Sequence, residues 1–406
     1  MIASLTAVLL YVLALVASVQ SELFLPDQQQ RPLLAQNKRH FNSSRFDKIV
    51  DNFVKERSIT GLSIALTYDD RLVYASSFGY ADAEAELKVT PYNRFRLASV
   101  SKSITAIAIM RLVEDGSLSL SDRVLGEDSI LGHRYSQKTF DKWERSITVQ
   151  HLLEHSLGFV DEDMCGTGCD PTYMEKYLTL DQWQLVTALL DGYTPSHAPG
   201  TFPSYSNFGY FLAGRVVEAA SGVVPYAEYV KECILKPMGI LNMTLAVDER
   251  QKHEVKYYDF KEPNRPYSFH VHRRDSVGAW IGTPVDLVKM LTTVNGIPGR
   301  GDFLNQTTIS TMFTKSKITK SSYAKGFNVS YDGEGLIDAY KDGGYWGTRS
   351  FVNINFRNKT TYAIVVNSEM PRNEKFNGGR DLKTLMDNLT WPIEKWPGYD
   401  LFHNYQ

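Results

Sequence analysis

Three short segments of the chain carry residue types that can perform acyl chemistry together. The first is Ser99-Val100-Ser101-Lys102. A serine hydroxyl is a poor nucleophile until a base takes its proton. Residues three apart share a helix face, so the Lys102 amine can reach the Ser99 oxygen. Lysine serves as that base only when burial or a neighbouring cation lowers its pKa. A helix starting near Ser99 adds a positive end that favours developing negative charge. Ser101 is a competing nucleophile, but Lys102 is its immediate neighbour and faces elsewhere.

The second segment is Tyr205-Ser206-Asn207, preceded by Pro199-Gly200-Thr201-Phe202. In a Tyr-x-Asn turn both side chains can enter one cleft. A tyrosine held near cations can shuttle a proton, and an asparagine amide can orient a lysine or a substrate carbonyl. The third is Lys341-Asp342-Gly343-Gly344. A glycine-rich edge strand lets substrate approach the backbone, and one of its N–H groups can join that of Ser99 in an oxyanion hole. Each segment alone also reads as ordinary structure: a solvated helix turn, a loop with a packed tyrosine, a turn before a hairpin. Their order and spacing are what join them.

Elements must bring these segments together. A helix is expected over 99–115, with Ile104, Ile107, Met110 and Val113 facing a core and Gly116 at the C-terminal cap. Ser44 reads as the N-cap of an earlier helix carrying Phe46, Ile49, Val50 and Phe53. Residues 61–68 and 71–74 read as a hairpin about Asp69-Asp70, and 351–356 with 361–366 as another. Between them, helices are expected at 149–153, 180–190, 210–220, 225–235 and 284–291. A last amphipathic helix carries Leu382, Leu385, Met386 and Leu389. The expected fold class is α+β, with an antiparallel sheet flanked by helices. Residues 44–125 and 291–390 would build that domain, 126–290 an inserted all-helical domain, 22–43 a linker and 391–406 a tail.

Ser-x-x-Lys near a helix start, then Tyr-x-Asn, then Lys-x-Gly before a terminal hairpin resembles the serine β-lactamase and penicillin-binding-protein superfamily. The resemblance covers about 45–390 and is closest to the branch of class C β-lactamases, D-alanyl-D-alanine carboxypeptidases, family VIII esterases and LACTB-like proteins. Phe95-Arg96-Leu97-Ala98-Ser99-Val100-Ser101-Lys102 resembles its nucleophile segment. Residues 148–159 resemble its T-x-x-H-L-L-x-H-x-S-G stretch, with Leu157 where serine is usual. Ser204-Tyr205-Ser206-Asn207-Phe208-Gly209-Tyr210 and Gly282-Thr283-Pro284-Val285-Asp286-Leu287 resemble two further motifs. The resemblance implies a β-lactamase/transpeptidase-like fold and a cofactor-free hydrolase. Ser99 would form an acyl-enzyme with Lys102 as base, and Tyr205 would serve leaving group and water. Asn207 would orient Lys102 and the substrate amide. The N–H groups of Ser99 and Gly344 would hold the oxyanion, with Gly343 on the same strand, and Lys341 stands where relatives have lysine or histidine. Two departures bear on specificity. Asp342 replaces the common Thr or Ser and can quench Lys341, and Tyr345-Trp346 adds bulk that can narrow the cleft or favour an apolar acyl group. Acyl transfer uses the same residues, and some members of the superfamily bind without hydrolysing.

Other patterns weigh less. His151-Leu152-Leu153-Glu154-His155 matches the H-x-x-E-H zinc-protease pattern, but no third ligand is assignable. No metal is therefore expected, and His270-Val271-His272 reads as a surface pair. A net charge of −2 over 406 residues offers no nucleic-acid face. The expected partner is a small-molecule or peptide substrate. Residues 1–21, uncharged and rich in leucine and valine, read as a cleaved secretory signal, with an uncleaved anchor as the alternative. The expected location is thus extracellular or in the secretory lumen. Sequons at Asn42, Asn242, Asn305, Asn328, Asn358 and Asn388 agree with that route. Cys165 and Cys169 can close a small disulfide loop, which leaves Cys233 odd and buried on a helix.

Overall fold

A computed structural model of the chain describes residues 39–166, 170–297, 301–316, 321–370, 378–391 and 393–405. The strands in chain order are β1 (Arg39–His40), β2 (Gly61–Tyr68), β3 (Arg71–Asp82), β4 (Leu87–Lys88), β5 (Phe95–Arg96) and β6 (Thr244–Leu245). They continue with β7 (Trp280–Gly282), β8 (Asn328–Asp332), β9 (Gly335–Tyr345), β10 (Thr348–Asn355), β11 (Thr360–Val366) and β12 (Ile393–Lys395). The helices are α1 (Ser43–Glu56), α2 (Ser101–Glu114), α3 (Val149–Leu153), α4 (Asp161–Cys165) and α5 (Gln182–Gly192). After them come α6 (Asn207–Ser221), α7 (Tyr226–Tyr229), α8 (Pro284–Thr292), α9 (Gln306–Phe313) and α10 (Gly378–Thr390). Strands β1 and β12 pair in parallel within a small unit that includes residues 39–41 and 393–395.

The main body is organised on a seven-stranded sheet in the order β4-β3-β2-β11-β10-β9-β8, with antiparallel pairs throughout. Both chain ends therefore contribute to one sheet, as the two hairpin patterns suggested. Asp69 and Asp70 take φ of 49° and 60°, the left-handed pair that a two-residue hairpin turn needs. Strands β2 and β11 are buried along almost their whole length, which requires cover on both faces. Helix α8 packs on β2 and β11, α1 on β3, and α10 on β10 and β11. Helix α2 is buried continuously from Ser101 to Met110, so it is a central helix with apolar neighbours all round.

Several expectations shift in detail. Asn42, not Ser44, caps α1, and its Oδ1 accepts the Arg45 N–H at 3.0 Å. The expected linker therefore ends before Ser43, which already lies in α1. The nucleophile segment opens with a 3₁₀ turn (Ala98–Val100) before α2 begins at Ser101. The stretch 126–290 is not all-helical, because it contributes β6 and β7 to a three-stranded sheet ordered β5-β7-β6, in which β7 pairs with both β5 and β6. Residues 225–235 split into α7 and a π-helical turn, Val230–Leu235. Cys233 sits on that turn as an exposed free thiol, not a buried one. Cys169 and the signal segment 1–21 lie outside the described residues. The sequon residues Asn42, Asn242, Asn305 and Asn388 are exposed, while Asn328 and Asn358 are half-buried. Among the described residues no helix is long and apolar enough to cross a membrane.

The segment leading to Ser99 is pinned from several sides. Arg96 is buried. Its guanidinium donates to the Pro266 carbonyl at 2.6 Å, lies 3.6 Å from the Glu254 carboxylate and stacks 4.4 Å over the Tyr257 ring. The Leu97 N–H donates to the Trp280 carbonyl at 2.8 Å. From β10, the Ser350 hydroxyl donates to the Leu97 carbonyl at 2.6 Å and the Thr348 hydroxyl to the Arg96 carbonyl at 3.1 Å. Arg96→Met would leave Glu254 buried without its cation, a change that typically costs about 3–5 kcal/mol. Urea denaturation should show a loss of that size, and a loss below about 1 kcal/mol would show that the pair does not hold the segment.

Candidate active site

Ser99 stands on the 3₁₀ turn one residue after Ala98, whose φ of 45° lies in the left-handed region that non-glycine residues rarely adopt. Lys102 lies in the first turn of α2 and is fully buried. Its Nζ is 3.1 Å from Ser99 Oγ and 3.1 Å from the Val277 carbonyl oxygen. The Tyr205 hydroxyl donates to the same Ser99 Oγ at 2.9 Å. Two of the three segments thus converge on one hydroxyl oxygen. Lys341 completes the group from β9: its Nζ lies 5.0 Å from the centre of the Tyr205 ring.

Charge and burial set the protonation of these groups. Burial pushes the Lys102 amine down from 10.5 to about 8, and the Lys341 cation adds to that shift. Burial by itself would raise the Tyr205 phenol, but Lys102 and Lys341 outweigh it and the net shift is downward. Tyr205 is 44% exposed, yet Lys102 and Lys341 lie 4.9 and 5.0 Å from its ring centre, so the downward direction follows these two cations. Lys341 itself is buried. Asp342, its neighbour, is 3.9 Å away and keeps a 58% exposed carboxylate, because adjacent strand residues alternate in face. Among the described residues that loose contact is its one ion pair, so the ammonium remains available to the cleft.

A cleft of about 380 Å³ opens at Ser99, lined by Tyr205, Tyr323, Asn328, Lys341, Asp342 and Arg349 among others. Gly343 and Gly344 line it too. A Cβ on Gly343 would stand 2.5 Å from the Leu97 carbonyl oxygen and 2.8 Å from the Ser99 nitrogen, so only glycine lets β9 approach the nucleophile turn. Pairing between β8 and β9 ends at Asn328 and Tyr340. Among the described residues no strand covers the outer edge of 341–345, which leaves backbone groups for an extended substrate. Tyr345 and Trp346 do not line the cleft. They pack instead on Phe269, with ring centres 5.4 and 5.3 Å away, and Trp346 also lies 4.8 Å from Tyr173. The narrowing expected from their bulk is not observed.

Asn207 departs from its expected part. It opens α6, and Ser206 before it is the N-cap. Its Nδ2 donates to Asp170 at 2.8 Å and its backbone N–H to Asp161 at 2.9 Å. An amide nitrogen donates and a carboxylate oxygen accepts, so the Asn207 nitrogen faces Asp170. Among the described residues Asn207 Oδ1 is then buried with no partner, and the second hydrogen bond of Lys102 goes to Val277. Asp161 also accepts the Ser206 hydroxyl at 2.8 Å, and burial together with nearby Asp170 pushes its pKa up to about 7. Arg274, buried, holds Asp170 at 2.9 Å. Sequence reasoning missed Asp161, Asp170, Arg274 and Tyr323, which carry no local motif.

The H-x-x-E-H segment builds turns. His151 Nδ1 accepts the Thr148 N–H at 3.1 Å in a capping box, and Glu154 pairs with Lys325 at 2.8 Å. His155 Nδ1 accepts the Ser206 N–H at 3.1 Å, and its ring lies 4.3 Å from that of Tyr205. Burial, with Lys102 and Lys341 nearby, pushes His155 well below its usual pKa, so a neutral ring supports the tyrosine.

A Lys102 held near 8 against 10.5 in the unfolded chain costs the fold roughly 3 kcal/mol at pH 7. The penalty is full below about pH 8 and vanishes above 10.5, because only the unfolded state binds the extra proton in between. Lys102→Met keeps the shape and removes the charge. It should raise Tm by a few degrees at pH 7, with the gain shrinking toward pH 10. A lower Tm would refute the strained-amine account.

Comparison with known proteins gives the chain's family. The chain is 30% identical over 224 residues to Esterase EstB of Burkholderia gladioli, covering 53% of this chain and 55% of the esterase. It is 24% identical over 221 residues to Protein flp of Staphylococcus aureus (strain N315), covering 54% of this chain and 42% of flp. The chain thus spans about half the length of these curated relatives. A Beta-Lactamase/D-Alanine Carboxypeptidase structure from Pseudomonas syringae superposes with a TM-score of 0.68 at 18% identity, covering 85% of this chain and 97% of the other, a likeness of fold. A family model described as Beta-lactamase matches residues 46–385, so the chain belongs to the Beta-lactamase family.

Proposed function

We propose that this protein is a serine hydrolase that cleaves amide or ester bonds through an acyl-enzyme on Ser99. The observation that carries this reading is the single oxygen of Ser99 lying within hydrogen-bond distance of both a buried amine and a phenol. In the neutral form Lys102 accepts the Ser99 proton as Oγ attacks the substrate carbonyl carbon. The carbonyl oxygen, now negative, is held by the N–H groups of Ser99 and Gly344. Tyr205 gives its proton to the leaving nitrogen or oxygen as the scissile bond breaks, and recovers one from Lys102. Water then attacks the acyl carbon, its proton passing to the Tyr205–Lys102 pair and from there to Ser99 Oγ as the acyl–oxygen bond breaks and the acid departs. Lys341 faces the cleft as an anchor for a negative group on the substrate. Asn207, tied to Asp170, acts by fixing the start of α6 that follows Tyr205. The similar proteins, an esterase and a β-lactamase/carboxypeptidase, support ester or amide chemistry for this chain. The signal-like segment and the four exposed sequons support a secretory location.

Ser99→Ala should abolish covalent labelling by a fluorophosphonate or penicillin-like probe, read by mass spectrometry of the intact chain. Labelling of the variant at the wild-type rate would reject Ser99. Because Lys102 must be neutral to act, the acylation rate should climb with pH and level off above about 8. Stopped-flow acylation between pH 6 and 10 measures this, and a rate independent of pH would reject Lys102 as the base.

A further inference from the structure

We infer that Asp248, His270 and His272 form a binding site for a divalent transition cation of the zinc class, apart from the Ser99 cleft. The sequence offers two histidines two residues apart and nothing more. The fold supplies the third donor from another segment. Phe269 and Val271 are buried in a small apolar cluster with Ala246, Ala279 and Ile281. That inward pair turns His270 and His272 outward on either side of Val271. Asp248 follows β6 by three residues and meets them there.

Both imidazoles aim the same nitrogen at one carboxylate. His270 Nδ1 is 2.7 Å from Asp248 Oδ2, and His272 Nδ1 is 3.2 Å from Asp248 Oδ1. One donor atom from each residue lies within 4.8 Å of the other two. Zinc–nitrogen and zinc–oxygen bonds near 2.0–2.1 Å place tetrahedral donors ~3.3 Å apart, so the cation fits with small side-chain rotations. Two imidazoles and one carboxylate select zinc, nickel, cobalt or copper over magnesium and calcium, which take oxygen donors. The side chains are 51%, 51% and 44% exposed, which gives an ion a route in and leaves room for water as a further ligand.

The site would fasten two segments. One continues from β6. The other runs from Phe269, which packs on Tyr345 and Trp346, to Arg274, which holds Asp170. A bound cation would therefore brace the wall behind the substrate strand without touching the reacting atoms.

The test uses the full, untagged chain stripped with chelator. Zinc is titrated in competition with a chromophoric chelator, and melting is followed in parallel. One zinc per chain should bind, and zinc should raise Tm. His270→Ala/His272→Ala should weaken zinc binding at least tenfold and lose the Tm increase, while Asp248→Asn weakens binding less. Both variants alter exposed side chains, and labelling at Ser99 with the same probe reports that they fold. No zinc binding by the wild type, or equal binding by the double variant, would overturn the inference, as would magnesium binding as tightly as zinc. Neither result would bear on the chemistry proposed at Ser99.

Discussion

A lysine amine buried between a serine hydroxyl and a backbone carbonyl is the constraint to which the rest of the structure answers. An ammonium taken out of water is expensive, and among the described residues Lys102 has no carboxylate partner to repay that expense. The surroundings meet the cost by letting the amine lose its proton, which burial and a second cation, Lys341, both favour. The same two cations draw the Tyr205 phenol down toward ionisation. One arrangement of charge thus makes the tyrosine phenol a stronger acid and lets the lysine amine lose its proton at lower pH, with Ser99 between them.

Holding that arrangement demands rigidity from the backbone. Ala98 sits at a φ that its methyl group disfavours, and the segment before it is tied by Arg96, by the Trp280 carbonyl and by two hydroxyls of β10. Strand β9 then approaches so closely that Gly343 has no room for a side chain. The nucleophile turn and the candidate oxyanion strand are in contact because small residues meet tied ones.

A second polar layer lies under the tyrosine. Asp161 and Asp170 receive the Ser206 hydroxyl, the Asn207 backbone and the Asn207 amide, and Arg274 balances Asp170 from behind. His155 adds a neutral ring and one acceptor. This layer contains two carboxylates close enough for one to be raised to about 7, which is tolerable because each oxygen that is buried also accepts a hydrogen bond. Its effect is to fix the entry into α6, and so the position of Tyr205.

The sequence by itself determined the α+β class and the paired hairpins, and it singled out the segments that meet around Ser99. Each of these rests on local information: a three-residue spacing on a helix, alternating apolar runs, a two-residue acidic turn. It placed Ser99, Lys102 and Tyr205 in one pocket because their motifs occur in a recognisable order. It paired Asn207 with Lys102 where the amide bonds Asp170, missed Asp161, Asp170, Arg274 and Tyr323, and read Tyr345-Trp346 as bulk on the substrate strand. Those are questions of which side chains meet across long stretches of chain, and no periodicity encodes them. Only the tertiary structure decided that Asn207 answers to Asp170, that β6 and β7 join β5, and that Asp248 reaches two histidines more than twenty residues away. The physical reason is that a hydrogen bond or an ion pair is chosen by proximity after packing, whereas a helix face or a strand pattern is written before it.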